Sequence, residues 1–280
     1  MPGQKKPTIK DVERYWSARP CNVRHSQVDV DADPTQYDLD VAHRKYFVEP
    51  HIRDFAQFSR WRGKRVLDLG CGIGTDTISF AAAGAADVVG VDVSPHSVEI
   101  AQKRAAPYKL PNLRFVCGDI EELPYHIEPQ TFDLIYSFGV LHHTPRPGRV
   151  IAHLRNHYLG PDSTLKLMLY NRYSWKAFWI LATYGKLQFW RWAELIAQHS
   201  EAQDGCPITR TYTPALAHEL LHGFIIEDMH VDHIFPYRIR DYVNYRYVRE
   251  WYWRVLPPTW FHWLEKRIGW HLLVTARLAE

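Results

Sequence analysis

The sequence predicts an α/β fold built on a doubly wound, mostly parallel sheet. The first observation is a short apolar run, residues 65–69, which is typical of a strand buried on both faces. The second is a turn with glycines at Gly70, Gly72 and Gly74, followed directly by small, helix-compatible residues. The third is the alternation of strand-like and helix-like segments over residues 63–170, which favours parallel strands joined by crossover helices.

The glycine turn indicates a ligand site. A strand, a glycine turn and a helix together present backbone N–H groups and a helix N-terminus at close range. A dinucleotide fingerprint, G-x-G-x-x-G, requires a glycine at position 75, where this chain has Thr75. The chain instead has D-x-G-x-G-x-G, beginning at Asp68. Since tight turns also use glycine for steric reasons alone, the following strands decide the interpretation.

Acidic residues follow the next two predicted strands. Asp92 ends the second strand, residues 87–91, and an acidic side chain there can accept hydrogen bonds from both hydroxyls of a ribose. The third strand, residues 113–117, leads into Asp119 and Ile120, an acidic and apolar pair. Ligands of such sheets lie beyond the carboxyl ends of the strands, where all these residues fall.

With a fourth strand at residues 132–137, these motifs resemble class I S-adenosylmethionine-dependent methyltransferases. The resemblance is strong over residues 65–143 and extends less closely to residue 170 and the last two strands. It is similar to the small-molecule branch that includes the ubiquinone and menaquinone methyltransferases. It implies a seven-stranded sheet, S-adenosylmethionine as cofactor and S-adenosylhomocysteine as product. The cofactor contacts that it implies are Asp68, Gly70, Cys71, Gly72, Gly74, Asp92, Val93, Asp119, Ile120 and Ser137.

The segment before the first core strand, residues 1–62, is predicted to form a helical extension. A capping box predicts a helix through Trp16, and a second helix is expected over residues 48–61. Residues 29–40 are acidic and contain a proline, which predicts a loop. The extension resembles the lid that many small-molecule methyltransferases fold over the cofactor, with Tyr15 and Trp16 nearest the ligand. A structural cap that packs its aromatic residues on the sheet is the alternative.

The last part of the chain holds nine of the eleven tryptophans and is predicted to carry two insertions in the core. The first occupies residues 171–212, before a helix that begins at a Thr-Pro pair. Residues 213–280 complete the core with strands at 224–229 and 270–276, separated by a second insertion at about 231–269. We expect the two aromatic insertions to form a cap over the substrate side.

Several residues are candidates for contact with the acceptor. Methyl transfer is an in-line displacement, so the protein must position the reactants and remove a proton where the acceptor carries one. His142 and His143 follow the fourth strand and are candidate general bases, although one of them could merely pack. Tyr170, Cys206 and His233 are further candidates for the substrate wall, with structural packing as the alternative for each.

No metal site is expected from the local sequence. His230 and His233 form a His-x-x-His pair, and His142 and His143 could join them. Such a pair on a loop without a nearby cysteine is a poor zinc signature. A magnesium site would require several carboxylates, and the clear ones are already assigned to the cofactor.

Two aromatic stretches allow more than one interpretation. Residues 237–254 interleave aromatic and basic side chains, which can bind nucleic acid. A helix with one aromatic face packed on the core fits equally well. The mixed charges favour an anionic substrate or a solvated face over nucleic acid. Residues 175–195 are rich in aromatic side chains and could lie on a membrane surface. Burial within the cap is the commoner outcome, so peripheral membrane contact is not favoured.

Composition sets limits on the remaining classes. The 280 residues are enough for one large domain or one domain with a cap, and a net charge of +3 does not predict a nucleic-acid partner. No run of 18 apolar residues occurs, so no membrane-spanning helix is expected, nor does the N-terminus have the pattern of a signal peptide. Four scattered cysteines favour a reducing, cytoplasmic location. The oligomeric state stays open.

The predicted function is methyl transfer to a small, mostly apolar or aromatic acceptor, on oxygen or sulfur. C-methylation of a quinone-like precursor and a non-catalytic, cofactor-binding partner subunit are the alternatives. An aminopropyl transferase also uses this fold but usually has an acidic pair after the fourth strand. This chain has Ser137 and Phe138 there.

Overall fold

The computed structural model describes residues 7–185, 188–201 and 205–279. Its strands are β1 Arg65–Leu69, β2 Asp87–Asp92, β3 Leu113–Cys117, β4 Phe132–Phe138, β5 Leu159–Tyr170, β6 Phe224–Asp232 and β7 His271–Leu278. They form a seven-stranded sheet in the order β3-β2-β1-β4-β5-β7-β6. The pairs from β3 to β5 are parallel, whereas β7 runs antiparallel to both β5 and β6. The predicted doubly wound, mostly parallel sheet is confirmed.

The helices connect these strands and build the N-terminal extension and the insertions. The α-helices are α1 Ile9–Ala18, α2 Pro34–Val48, α3 His51–Ala56, α4 Thr75–Ala82, α5 Pro95–Ala105, α6 Pro147–His157, α7 Trp175–Thr183, α8 Trp192–His199, α9 Pro214–Leu220, α10 Ile239–Tyr242, α11 Trp251–Arg254 and α12 Pro258–Ile268. Short 3₁₀ helices lie at Val23–His25, Phe58–Trp61, Ala106–Tyr108, Ile120–Tyr125, Leu141–His143 and Phe189–Arg191. Within the described ranges, every helix falls short of the length and apolar character needed to cross a bilayer.

The core has one apolar layer on each face of the sheet. Because successive side chains of a strand point to opposite faces, neighbouring residues of β1 belong to different layers. Leu67 packs in the layer that α6 covers through Leu154. Val66 packs in the other layer with Phe80 of α4 and Ile180 of α7. Both faces are therefore covered, as the continuous apolar strands predicted.

The N-terminal extension differs from its prediction in two places. Residues 29–40 were predicted to be a loop, but α2 begins within them at Pro34. Pro34 occupies the first turn, where a missing N–H costs nothing, and the Asp33 carboxylate accepts a hydrogen bond from the Gln36 N–H at 2.9 Å. One of the acidic residues of this segment, Asp38, lies in α2 and forms a 2.6 Å ion pair with the buried Arg104. The single helix predicted over residues 48–61 is wrong, because α3 and a 3₁₀ turn replace it.

The second insertion is also less regular than predicted. One alternative for residues 237–254 was a helix with one aromatic face, but the short α10 and α11 form there instead. The aromatic rings instead surround a cation of α2. The guanidinium of Arg44 lies 4.1 Å from the ring centres of both Tyr242 and Tyr245. Tertiary packing around Arg44 thus replaces helical periodicity as the organising feature of this segment.

Candidate active site

The loop between β1 and α4 is shaped by glycine and tied to the end of β2. Gly70, Gly72 and Gly74 all have positive φ, and a Cβ at Gly70 would overlap the side chain of Val140. The N–H of Gly72 donates to the Asp92 carboxylate at 2.9 Å. The same carboxylate accepts from the N–H of Ser94 at 2.8 Å. Asp92 therefore holds the loop and the start of α5 together.

A cavity of about 260 Å³ lies beyond the carboxyl ends of the parallel strands. The helix α1 borders it, and most of the residues predicted from the sequence form its wall. These are Trp16, Gly70, Cys71, Gly72, Asp92, Val93, Asp119, Ile120, His143 and Tyr170. A larger, more open depression of about 470 Å³ borders α8 and α9 and contains none of the predicted cofactor residues. The motifs, rather than the volume, identify the candidate site.

Three residues predicted to contact the cofactor lie outside the wall. Asp68 is buried and accepts a 2.6 Å hydrogen bond from the Thr77 hydroxyl. Burial and the nearby Asp76 carboxylate raise the pKa of Asp68 to about 7. Ser137 donates its hydroxyl to the carbonyl of Leu69 at 3.2 Å, and Gly74 lies against a ring of β3. All three support the loop from behind.

The predicted acceptor-side residues also divide between the wall and its support. His142 is fully buried with its ring 3.6 Å from that of Tyr170, and neither of its nitrogens has a hydrogen-bond partner among the described residues. Burial and the neighbouring His143 lower the pKa of His142 well below its usual value. Cys206 is buried with its Sγ 3.5 Å from the His143 Nδ1. His233 also lies outside the wall, with its ring stacked on that of His271, 4.8 Å away.

His143 is the member of the histidine pair that faces the cavity. Its Nδ1–H donates to the carbonyl of Ile208 at 2.8 Å, so its Nε2 carries the lone pair. The Glu201 Oε1 lies 3.7 Å from that Nε2, and the ring of Trp16 meets His143 edge-on at 5.2 Å. Tyr15 contacts Trp16 in turn at 5.0 Å. Burial lowers the pKa of His143, against the opposing effect of Glu201. A neutral ring with a free Nε2 is the form that accepts a proton.

Sequence reasoning missed the charged groups of the acceptor side. Lys45, Glu49, Glu201 and His271 all line the cavity. Burial opposes the charge of Lys45, but the Asp76 carboxylate 2.9 Å away outweighs it and raises the pKa. Burial raises the pKa of Glu49 to about 7. The spacing of Lys45 and Glu49, four residues apart on one helix, was the available signal.

Comparisons with known proteins agree with this fold. Residues 61–183 match a family model described as a methyltransferase domain. The ubiquinone biosynthesis O-methyltransferase of Neisseria meningitidis serogroup C (strain 053442) is 34% identical over 111 residues, covering 40% of this chain and 46% of that protein. The protein of that name from Coxiella burnetii (strain Dugway 5J108-111) is 40% identical over 90 residues, covering 32% and 37%. The chain therefore spans less than half the length of these curated relatives.

Solved structures share the fold over nearly the whole chain. The magnesium protoporphyrin IX methyltransferase of Synechocystis PCC 6803, crystallised with S-adenosylhomocysteine, has a TM-score of 0.59 at 19% identity, covering 97% of this chain and 100% of that one. A putative methyltransferase of Haloferax volcanii, solved with the Trm112 activator, has a TM-score of 0.55 at 18% identity, covering 91% and 100%.

The fold is that of the class I methyltransferases, as the motifs predicted, and residues 61–183 match the methyltransferase domain model. Within that class, the curated relatives reported above are ubiquinone biosynthesis O-methyltransferases. The predicted likeness to ubiquinone-type, small-molecule methyltransferases is confirmed.

Proposed function

We propose that this protein transfers a methyl group from S-adenosylmethionine to an oxygen of a small, mostly aromatic or apolar acceptor. One observation carries the proposal: a single cavity joins the glycine loop and strand-end carboxylates to a histidine whose Nε2 has no hydrogen-bond partner among the described residues. The name of the curated relatives, O-methyltransferases, supports oxygen as the methylated atom. The aromatic walls at Phe138 and Tyr170 support a ring-bearing acceptor.

The residues on the loop side fit the cofactor. The positive φ of the loop glycines and the missing Cβ atoms allow the loop backbone to approach a ligand closely. Each oxygen of the Asp92 carboxylate accepts one backbone N–H and retains a lone-pair direction for a ribose hydroxyl. Asp119 and Ile120 would hold the adenine, and Trp16 would cover the site from α1. The bound cofactor supplies an electrophilic methyl group on a sulfonium.

The acceptor side supplies the proton chemistry. A phenolic hydroxyl with a pKa near 10 is almost fully protonated at neutral pH and requires a base. In the proposed role, the His143 Nε2 accepts that proton while Nδ1–H stays bonded to the carbonyl of Ile208. The Glu201 carboxylate, 3.7 Å from Nε2, stabilises the imidazolium that results. Lys45 also lines the cavity, where its ammonium group can hold a polar substituent of the acceptor. The four free cysteines support the proposed cytoplasmic location.

Turnover with labelled S-adenosylmethionine tests the proposal across phenols, catechols, quinols, thiols and amines. We expect label in an oxygen-linked methyl group of an aromatic acceptor, with the linkage assigned by NMR. A carbon-linked methyl group would support the quinone-precursor alternative. Cofactor binding without turnover of any acceptor would favour the partner-subunit alternative and overturn the proposed activity.

Paired histidine variants then identify the base. His143→Gln should lower kcat by about 10²-fold for an oxygen acceptor, the usual contribution of a positioned base, with partial recovery at high pH. For a thiol acceptor the loss should be small, because a few per cent of thiolate already exists at neutral pH. His142→Gln is the matched control, since His142 is buried behind Tyr170. Equal kcat losses in the two variants would remove His143 as the base.

A further inference from the structure

Three side chains with metal-binding atoms converge beside the cavity. Glu49, His233 and His271 each offer one such atom, and these atoms lie within 4.8 Å of one another. The Glu49 Oε1 is 3.7 Å from the His271 Nε2 and 4.0 Å from the His233 Nε2. Both histidines are buried, and Glu49 is partly buried. From the sequence alone, His233 was considered with His230, His142 and His143, and no local pattern pointed to Glu49 or His271.

The separations fit ligands around one ion better than direct hydrogen bonds. A hydrogen bond between a ring nitrogen and a carboxylate oxygen requires about 2.7–3.2 Å. Both carboxylate–imidazole distances exceed that range. Ligands at about 2.1 Å from a tetrahedral ion lie about 3.4 Å apart. A contraction of several tenths of an ångström would bring each carboxylate–imidazole pair to that separation, and the ligand atoms of all three groups already lie within 4.8 Å of one another.

The backbone brings the two histidines together. Asp232 and His271 are paired residues of the antiparallel β6–β7 ladder, so His233 follows directly at the end of that ladder. His233 has φ of +70°, a left-handed conformation that costs energy for a non-glycine residue. The N–H of Trp270 donates to the carbonyl of His233 at 2.7 Å and holds this turn. Stored backbone strain of this kind is typical of functional sites.

A fourth histidine orients His271. The His51 Nε2 lies 2.8 Å from the His271 Nδ1, which leaves the His271 Nε2 directed to Glu49. Metal-binding histidines usually have their second ring nitrogen fixed by such a hydrogen bond. The nearby cation Lys45 is paired with Asp76 at 2.9 Å, which offsets its repulsion of a positive ligand.

We propose that Glu49, His233 and His271 bind one divalent transition-metal ion, with zinc as the reference ion. Two imidazoles and one carboxylate favour such ions over magnesium or calcium, which prefer oxygen ligands. Three protein ligands leave a coordination position open, as in catalytic zinc sites. Because Glu49 and His271 line the cavity, that position faces the acceptor side.

The chemical consequence rests on the proposed methyl transfer. An acceptor hydroxyl at the open position would pass its proton to the His143 Nε2 of the proposed function more readily, because the ion would stabilise the oxygen anion. That oxygen donates an electron pair to the methyl carbon, and the carbon–sulfur bond breaks with its electron pair staying on sulfur. The acceptor class that this site selects is a phenol or catechol whose hydroxyl can reach the ion.

Metal binding is tested on the full chain, without a histidine tag and after removal of metal by a chelator. Calorimetry with Zn²⁺ should show one ion per chain, and Co²⁺ should give the visible absorption bands of a nitrogen- and oxygen-bound ion. Glu49→Gln and His271→Gln should each abolish the stoichiometric binding. His51→Gln should weaken it by about 10–100-fold, the usual effect of removing an orienting partner.

The matched control is His230→Gln. His230 is an exposed histidine of β6, bonded to Asp228, and its replacement should leave metal binding unchanged. Circular dichroism of the metal-free variants checks that each folds; if one does not, the Co²⁺ spectrum of the unaltered chain decides. Absence of stoichiometric binding, or binding that survives His271→Gln, would overturn the proposal. Metal binding without turnover would instead leave the site intact and remove the methyl transfer.

Discussion

Asp92 has a role both in the fold and in the proposed function. Its carboxylate accepts backbone N–H groups from both Gly72 and Ser94, so it anchors the glycine loop before any ligand arrives. Burial raises its pKa, although both hydrogen bonds oppose that shift. An anchored carboxylate is already oriented to accept the ribose hydroxyls, which reduces the ordering cost of binding.

Replacing Asp92 should weaken cofactor binding. Asp92→Ala should lower the affinity for S-adenosylhomocysteine by roughly 1–3 kcal/mol, because the buried ribose hydroxyls lose their acceptor. Calorimetry measures this loss, and thermal unfolding reports how much of it comes from a loosened loop. Asp87→Ala is the matched control, because Asp87 begins the same strand at its opposite end and pairs with Arg114. Unchanged affinity in Asp92→Ala would contradict the ribose role.

The local motifs were predictable residue by residue because strand, turn and helix are adjacent in sequence. Gly70, Gly72 and Asp92 all lie where the spacing placed them. Glu49 and His271 were not predictable in the same way. They are separated by most of the chain and meet only through the packing of α2 and α3 against the last strand. Buried charged groups carry no periodic signal that would reveal such a meeting.

Among the helices, α1 borders the site, and its start at a capping box was predicted from the sequence. Its capping box is present, with the hydroxyl and N–H of Thr8 donating to Asp11 at 2.7 and 2.8 Å. Ile9, Val12 and Trp16 of this helix line the cavity. The hydroxyl of Ser17 donates to that of Ser94, the N-cap of α5, at 3.1 Å. A helix that lines the cavity in this way can close over a bound ligand.

Cofactor should therefore order α1. With S-adenosylhomocysteine bound, hydrogen exchange over residues 9–18 should slow more than in the core strands. Trp16→Ala should lower turnover, because its ring contacts His143 at 5.2 Å, whereas Arg14→Ala, an exposed residue of the same helix, should have little effect. The unfolding midpoint should stay close to that of the unaltered protein in both variants. Exchange and turnover that do not respond would make α1 a structural cap.

The second insertion shows why other elements could not be predicted. Its alternating aromatic and basic residues fit an amphipathic helix as well as an irregular segment. The outcome depends on Arg44, which lies in α2 nearly two hundred residues away and whose guanidinium donates to the carbonyl of Tyr242. Contacts of this one buried cation with several tyrosine rings stabilise the irregular path, and no local sequence pattern contains that information.

For the whole molecule, the site is assembled from every part of the chain. The core supplies the glycine loop and the strand-end acids, and α1 and α2 supply one wall. The first insertion supplies Glu201, and the second supplies His233, whose ring stacks on that of His271. The core sheet was predictable because its strands are continuous apolar runs. The acceptor side concentrates buried ionisable groups, and these connect the site to the stability of the whole protein.

Stability should consequently depend on pH through Asp68. Its pKa is 3.8 in the ordinary case and about 7 in the folded protein, because burial and Asp76 disfavour its charge. Between pH 3.8 and about 7, the folded state therefore retains a proton that the unfolded chain releases. The contribution of Asp68 to the free energy of unfolding is fully present below pH 3.8 and is lost as the pH rises to about 7. The slope is at most about 1.4 kcal/mol per pH unit from this group.

Urea unfolding of the cofactor-free protein at pH 5 and pH 7 measures this effect. Asp68→Asn should retain the hydrogen bond from Thr77, since the amide oxygen also accepts, and should remove the charge that folding buries. The free energy of unfolding should decrease from pH 5 to pH 7. The decrease should be smaller in Asp68→Asn than in the unaltered protein, by on the order of 2 kcal/mol. Asp54→Asn, an exposed position on α3, is the control and should leave the pH dependence unchanged. If the profiles of Asp68→Asn and the unaltered protein run parallel, Asp68 is ionised without cost, and the loop must be solvated in solution.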